Sequence, residues 1–153
     1  MNSSSWPPSD RRDSERGLRA AAEASPQVQF RPPSFSPTVL IVDDDEDACD
    51  LTTLVLQRAG YDVATAVNGE EALTYLRRYP APCLILLDLA MPIMDGWEFL
   101  SEREKDPALR AIPVIIASGE RGVVKRALAA GVEFLPKPLQ RASLLSALET
   151  VLK

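Results

Sequence analysis

Residues 84–100 of the chain read LILLDLAMPIMDGWEFL, and this stretch contains the pattern that decides the fold. An aliphatic run, predicted as a strand over residues 83–88, ends in an acid, Asp88. A short loop then leads into a helical pattern over residues 96–105, which Asp106 and Pro107 are expected to end. A short run without polar alternation is typical of a strand buried on both faces of a sheet. The stretch therefore predicts one β-α unit of a parallel sheet, with an acid where the strand ends.

The same β-α rhythm occurs five times between residues 38 and 153. Further strands are predicted over residues 38–43, 61–66, 112–117 and 132–135, and further helices over residues 46–59, 68–79, 120–130 and 141–152. Strands that alternate with helices form a parallel sheet with helices on both faces, joined by right-handed crossovers. We therefore predict an α/β fold, a flavodoxin-like (βα)5 doubly wound parallel sheet with strand order 2-1-3-4-5.

Residues 1–37 differ from the rest, because they hold six of the 13 prolines and few large aliphatic side chains. Such a composition cannot bury enough apolar surface to offset the entropy lost on ordering. We therefore predict a disordered N-terminal extension over residues 1–37 and one folded domain over residues 38–153. The last predicted helix ends at the C-terminus, so no further domain is expected to follow it.

The overall composition excludes several classes of function. The formal net charge of −5 gives no basic footprint, so we expect no direct binding of nucleic acid. No apolar run reaches the roughly 20 residues of a membrane span, so we expect no membrane association and a cytoplasmic location. The absence of histidine excludes a His-containing catalytic triad, a His-ligated metal and a phosphohistidine on this chain. Cys49 and Cys83 lack metal-ligand spacing and are expected to be small buried residues of a reduced protein.

Acidic side chains follow two predicted strands that are neighbours in the sheet. Asp43 and Asp44 come after the first strand, and Asp88 comes after the third. Ligands of parallel α/β sheets bind outside the carboxyl ends of the strands, so these acids should converge. Clustered carboxylates repel one another, and Mg²⁺ binds such oxygens together with those of phosphate. The sequence therefore predicts a Mg²⁺ site for phosphoryl chemistry, with Asp88 as the nucleophile.

Two further groups suited to phosphoryl chemistry lie at the ends of the fourth and fifth predicted strands. Ser118 follows the fourth strand and can donate to a phosphoryl oxygen, and Lys137 follows the fifth and can offset its charge. Asp45 and Asp47 are instead expected to stabilise the N-terminus of the first helix. Groups suited to phosphoryl chemistry therefore follow four of the predicted strands. This favours a phosphoryl site over the alternative that these residues only cap helices and keep loops soluble.

These residues resemble the response-regulator receiver family of two-component signalling, in its single-domain type. The resemblance covers residues 38–153 and is carried by LIVDDDEDACDL, LILLDLAMPIMDGWEFL, PVIIASGE and FLPKPL. It implies that Asp88 is the phosphoacceptor and that Asp44 binds Mg²⁺ directly and Asp43 largely through water, with the backbone carbonyl of Ala90 as a further ligand. It also implies switch or phosphoryl-binding roles for Ser118, Lys137 and Phe134. Two further residues would have structural roles, namely Pro138, which would follow a cis peptide bond, and Gly96.

The resemblance also implies partners. A histidine kinase or a histidine phosphotransfer protein would donate the phosphoryl group, a separate output protein would read it, and a homodimer could form through the last two helices. The chain would be a signalling phosphoacceptor that catalyses only its own phosphorylation and dephosphorylation. Three features depart from typical relatives: the interval from Ser118 to Lys137 is short, Phe134 lacks the hydroxyl of a tyrosine, and Ala90 cannot orient an attacking water.

Two other functions remain open on the sequence. One is a pseudo-receiver, a binding module of the same fold that is never phosphorylated. The other is a phosphohydrolase of the haloacid-dehalogenase type, for which Asp43 and Asp45 supply a D-x-D spacing. The Gly-Thr and the late acidic pair expected of that class are missing, and no cap insertion is present.

Overall fold

One parallel sheet forms the centre of the domain. The computed structural model describes residues 36–153, so the predicted disordered extension, residues 1–37, lies almost wholly outside the described residues. Within them, five strands follow the order β2-β1-β3-β4-β5. Their bounds differ from the predicted ones by at most two residues: β1 Thr38–Val42, β2 Asp62–Ala66, β3 Leu84–Asp88, β4 Val114–Ser118 and β5 Glu133–Pro136. The predicted fold class and strand order are confirmed.

Five helices of six or more residues connect or follow these strands: α1 Glu46–Arg58, α2 Gly69–Arg78, α3 Gly96–Glu104, α4 Val124–Ala129 and α5 Arg141–Leu152. A polar side chain caps the N-terminus of each of the first three helices. The Asp45 side chain accepts from two backbone N–H groups of α1, Asn68 caps α2, and Asp95 forms a capping box with Glu98 on α3. Among residues 36–153, every helix is too short or too polar to cross a lipid bilayer.

The structure differs from the predicted helices in two places. The helix predicted over residues 120–130 begins with a 3₁₀ turn, Arg121–Val123, and its α-helical part is only six residues long. Asp106 and Pro107, predicted only to end α3, also begin a separate helical turn, Pro107–Arg110. The cause is local, because the Asp106 carboxylate accepts from the Ala108 N–H and proline fits the first position of a helix.

The three central strands are buried along almost their whole length, which explains their continuous aliphatic sequences. Every residue of β3 and β4 is buried, as are four of the five residues of β1. Polar side chains can therefore emerge from the centre of the sheet only where these strands end. The carboxyl ends of β1, β3 and β4 are occupied by Asp43, Asp88 and Ser118, all of which are buried.

Arg103 is a buried cation that links α3 to the start of β4. Its Nη2 donates to the carbonyl oxygens of Arg110, at 2.9 Å, and Ile112, at 2.7 Å. Burial lowers the pKa of the guanidinium, and the charge of Glu104, 3.3 Å from Nη1, opposes this effect. The carbonyl groups at the end of the helical turn are thus satisfied by a side chain rather than by water.

We expect Arg103→Met to lower the free energy of unfolding by about 2–3 kcal/mol, because one buried and one partly buried carbonyl group lose a charged donor. Urea denaturation followed by circular dichroism measures the change. Arg110→Met provides the matched control, since Arg110 is exposed and its loss should cost less than about 0.5 kcal/mol. Equal effects of the two substitutions would contradict this role of Arg103.

Candidate functional site

The structure brings the three predicted carboxylates together at one edge of the sheet. Asp43 and Asp44 directly follow β1, and Asp88 ends the neighbouring strand β3. One carboxylate oxygen from each residue lies within 4.8 Å of the others. Asp43 and Asp88 are buried, whereas Asp44 is exposed. The site is therefore an acidic cluster that is closed towards the sheet and open towards solvent.

Lys137 is the cation nearest to this cluster among the described residues. Its Nζ lies 2.8 Å from Asp43 Oδ2 and 3.5 Å from Asp88 Oδ1. Its backbone N–H donates to the Ser118 carbonyl at 3.0 Å, and its peptide bond to Pro138 is cis, as the family resemblance implied. Burial would lower the pKa of Lys137, but the hydrogen bond and charge of Asp43 and the charge of Asp88 outweigh it and raise that pKa. Lys137 therefore remains charged.

The Asp88 carboxylate is held in place but only partly neutralised. Its Oδ1 accepts from the Leu89 N–H at 2.9 Å. Burial raises the pKa of Asp88, Lys137 opposes that shift, and the charge of Asp43 adds to it, so that the pKa lies above its ordinary value. One lysine therefore faces three carboxylates among the described residues, and this donor set fits a divalent cation with oxygen ligands.

The two acids after β1 differ in how many of their oxygens are already engaged. Asp43 Oδ1 accepts from the Asp45 N–H at 2.9 Å, and Oδ2 accepts from Lys137. Within residues 36–153, the structure records no hydrogen bond or ion pair for the Asp44 side chain. Asp44 is consequently the carboxylate most available to a metal, and Asp43 is the one held by the protein.

An open cleft of about 440 Å³ lies next to Asp44. Ala90, whose carbonyl group the resemblance implies as a metal ligand, lines the same cleft. Trp97 forms part of its wall. The lining residues are Asp44, Leu89, Ala90, Met91, Pro92, Asp95, Trp97 and Glu120.

Ser118 and Phe134 lie on the two strands beyond β3. Ser118 ends β4, and its Oγ accepts from the Glu120 N–H at 3.0 Å, which leaves the hydroxyl proton able to donate elsewhere. Phe134 is half-buried on β5, in register with Ile116 of β4. The structure thus places Ser118 beside the end of β3 and Phe134 one strand further away.

Gly96 allows α3 to begin directly against the end of β3. Its N–H donates to the Leu89 carbonyl at 3.0 Å. A Cβ at this position would lie 2.6 Å from the Asp88 carbonyl oxygen and 2.8 Å from the Leu89 Cα. Both are backbone atoms that cannot turn aside, so the close approach needs glycine.

Cys49 contacts the site in a way that the sequence did not predict. Its Sγ lies 3.5 Å from the Asp43 carbonyl oxygen. Burial, followed by the charge of Asp43, raises the pKa of Cys49 to about 12. The residue therefore remains a thiol and acts as a packing and hydrogen-bonding neighbour of the β1 end.

Comparison with known proteins identifies relatives of the whole described domain. The chain is 37% identical over 125 residues to the transcriptional regulatory protein PrrA of Mycobacterium tuberculosis. It is 34% identical over 115 residues to the chemotaxis protein CheY of Halobacterium salinarum, covering 74% of this chain and 95% of that protein. The match to PrrA covers 77% of this chain and 51% of PrrA, and the match to GtcR of Aneurinibacillus migulanus covers 43% of that relative. The chain therefore spans about half the length of these two curated relatives.

One solved structure with the same fold contains a magnesium ion in its own active site cleft. It is the receiver domain of the sensor histidine kinase PA1611 of Pseudomonas aeruginosa, described with a magnesium ion coordinated in the active site cleft. The TM-score is 0.70 at 26% identity, and the match covers 76% of this chain and 98% of that one. Residues 39–149 also match the family model of the response regulator receiver domain. The chain belongs to the response regulator receiver domain family, whose members act in two-component signalling rather than as conventional enzymes.

Proposed function

We propose that residues 38–153 form a phosphoacceptor domain of a two-component phosphorelay, in which Asp88 takes a phosphoryl group in a Mg²⁺-dependent reaction. One observation carries the proposal: three carboxylates meet within 4.8 Å, and Lys137 Nζ approaches two of them at 2.8 and 3.5 Å. A carboxylate can act as a nucleophile towards phosphorus, and an adjacent lysine can stabilise the transferred group.

Four groups of this chain would hold the metal. Asp44 and Asp88 would each give a carboxylate oxygen, Ala90 would give its carbonyl oxygen, and Asp43 would act largely through water because both of its oxygens are already engaged. When bound, Mg²⁺ would offset the charge of the phosphoryl oxygens.

The transfer itself would be carried out by residues of the sheet edge. A carboxylate oxygen of Asp88 bonds to phosphorus while the bond from phosphorus to an imidazole nitrogen of the donor breaks, and the ring keeps the electron pair and later takes a proton. Lys137 already touches Asp88, so its ammonium can follow the negative charge onto the phosphoryl group. Ser118 has a free hydroxyl proton to donate to the same group.

The switch would follow from the added charge, which is about −1.5 to −2 for a phosphoryl group at neutral pH. Lys137 and Ser118 would move towards it, and Phe134 would turn into the space that they leave on β4 and β5. The surface of α4 and α5 would then change, and a separate output protein or a second copy of the chain would respond to it. Ala90 has no polar side chain at the cleft, so it gives no help to hydrolysis of the phosphoryl group.

The donor would be a histidine kinase or a histidine phosphotransfer protein, since this chain contains no histidine. An apolar groove of about 150 Å³ reaches Asp88 and Lys137 beside α1. Leu51, whose side chain lies at this groove, is 68% exposed. A partner packed on Leu51 and Pro138 would bring its phosphohistidine to the Asp88 carboxylate.

The proposal predicts that the full chain, incubated with Mg²⁺ and acetyl phosphate, gains the mass of one phosphoryl group. Excess EDTA should abolish that gain, because the metal would offset the charge of the three carboxylates and of the phosphoryl group. Intact-mass spectrometry measures both. If the chain gained no mass under conditions that label CheY of Halobacterium salinarum, it would be a pseudo-receiver and the proposal would fail.

The phosphohydrolase alternative is weakened by the position of Asp45. Its carboxylate accepts from the Asp47 and Ala48 N–H groups at 3.1 and 3.3 Å, so it caps α1 instead of facing the cluster. The discriminating assay is turnover of p-nitrophenyl phosphate. Turnover that is lost in Asp43→Asn but kept in Asp88→Asn would favour the hydrolase.

A further inference from the structure

The short helix α4 is weakly anchored to the rest of the domain. Of its six residues, all of which the structure describes, only Ala127 is buried, and Leu128 is 67% exposed. The residue that precedes it, Val123, offers no side-chain hydrogen bond to the helix within the described part of the chain. Few apolar contacts and no cap are the properties of a segment that shifts at low cost.

A cation–π contact joins this helix to the wall of the acidic cleft. The Arg126 guanidinium carbon, on α4, lies 3.9 Å from the ring centroid of Trp97, in the first turn of α3. Trp97 lines the cleft together with Asp44. Within residues 36–153, no acidic partner is recorded for Arg126 or for its neighbour Lys125. The Trp97 ring is therefore the recorded partner of Arg126.

The two ends of this contact are anchored very differently. Trp97 follows Gly96, which is packed against the backbone of Asp88, and its helix has a capping box. Arg126 follows the turn Arg121–Val123, and the residue before that turn, Glu120, donates its N–H to Ser118 Oγ at 3.0 Å. A movement of Ser118 would therefore displace α4 while Trp97 stays in place.

We propose that the Trp97–Arg126 contact restrains α4 in its position against α3 and is released when Mg²⁺ and a phosphoryl-like anion occupy the cleft. The inference rests on the proposed function and extends it to two residues outside the carboxylate cluster. Ser118 turns its hydroxyl towards the anion and draws Glu120 and the following turn with it, so Arg126 leaves the Trp97 ring. Trp97 and Arg126 are thus positioning residues that couple the cleft to the exposed face of α4.

Thermodynamic linkage gives the sign of the effect. A contact present in only one arrangement opposes binding to the other, so its removal must tighten binding of the anion. An exposed cation–π contact corresponds to a factor of about two to five in the binding constant. Loss of a nearby positive charge would by itself weaken anion binding, so electrostatics alone predicts the opposite sign.

The experiment is a titration of the full chain with beryllofluoride at saturating Mg²⁺, followed by ¹⁹F NMR or calorimetry. We expect Arg126→Gln and Trp97→Leu each to bind beryllofluoride about two- to fivefold more tightly than the wild type, and the double variant to bind no more tightly than either. Lys125→Gln removes the same charge one residue away and should bind as the wild type or slightly more weakly. Circular dichroism establishes that each variant is folded.

The outcomes separate the inference from the proposed function. If the wild type is folded but does not bind beryllofluoride, the proposed function fails and the coupling fails with it. If the wild type binds and Arg126→Gln binds equally or more weakly, or if the effects of Trp97→Leu and Arg126→Gln simply add, only the coupling through this contact is overturned.

Discussion

Replacement of Asp88 by asparagine abolishes phosphoryl incorporation into the chain, according to the proposed function. The amide oxygen of asparagine is too weak a nucleophile to form the acyl phosphate, whereas its shape still fits the site. It can also keep the hydrogen bond from the Leu89 N–H, so the fold should persist. Loss of an attacking group costs about 10³-fold or more in rate, so the labelled fraction should fall below detection in the intact-mass assay.

Asp47→Asn is the matched control for this substitution. Asp47 is an exposed acid in the first turn of α1, four residues from Asp43, and its carboxylate is not part of the three-residue cluster. Its replacement should leave labelling within about twofold of the wild type, since a single exposed charge changes electrostatic interactions little. A labelled Asp88→Asn variant would mean that another residue accepts the phosphoryl group.

Gly96→Ala should lower the free energy of unfolding by about 1–3 kcal/mol or more. The added methyl group would meet the Asp88 carbonyl oxygen at 2.6 Å and the Leu89 Cα at 2.8 Å. Neither backbone atom can move without shifting the end of β3, and α3 would have to move away from Asp88. Urea denaturation measures the loss of stability, and the intact-mass assay at fixed time measures the accompanying loss of labelling.

Gly122→Ala tests whether the effect comes from the close approach rather than from loss of glycine in general. A Cβ at Gly122 meets no atom within 4 Å. That substitution should be neutral or stabilise the fold by about 0.4–1 kcal/mol through the unfolded state. Equal destabilisation by both substitutions would contradict the steric account of Gly96.

The sequence was sufficient for the sheet because the central strands are buried on both faces. That burial requires uninterrupted aliphatic runs, which the sequence displays directly, and strand–helix alternation leaves few topologies. The convergence of Asp43, Asp44, Asp88 and Lys137 was predictable for the same reason. Each of these residues lies at a strand end, and the ends of parallel strands share one edge of the sheet.

What the sequence could not provide depends on contacts between residues far apart in the chain. The Trp97–Arg126 pair joins residues 29 positions apart, and nothing local to either residue indicates the other. The closer approach of Lys137 to Asp43 than to Asp88 is likewise a result of tertiary geometry. The 3₁₀ turn before α4 was missed because the helical pattern of residues 125–130 was extended back to Glu120, across Gly122 and Val123, which are poor helix formers.

A crystal structure of the full chain with Mg²⁺ and beryllofluoride tests the central claim most directly. We expect the beryllium on a carboxylate oxygen of Asp88, Lys137 Nζ and Ser118 Oγ on its fluorines, and the metal between Asp44, Asp88 and the Ala90 carbonyl. Beryllofluoride on any other residue, or a metal bound away from these carboxylates, would contradict the assignment of this edge of the sheet as the phosphoacceptor site.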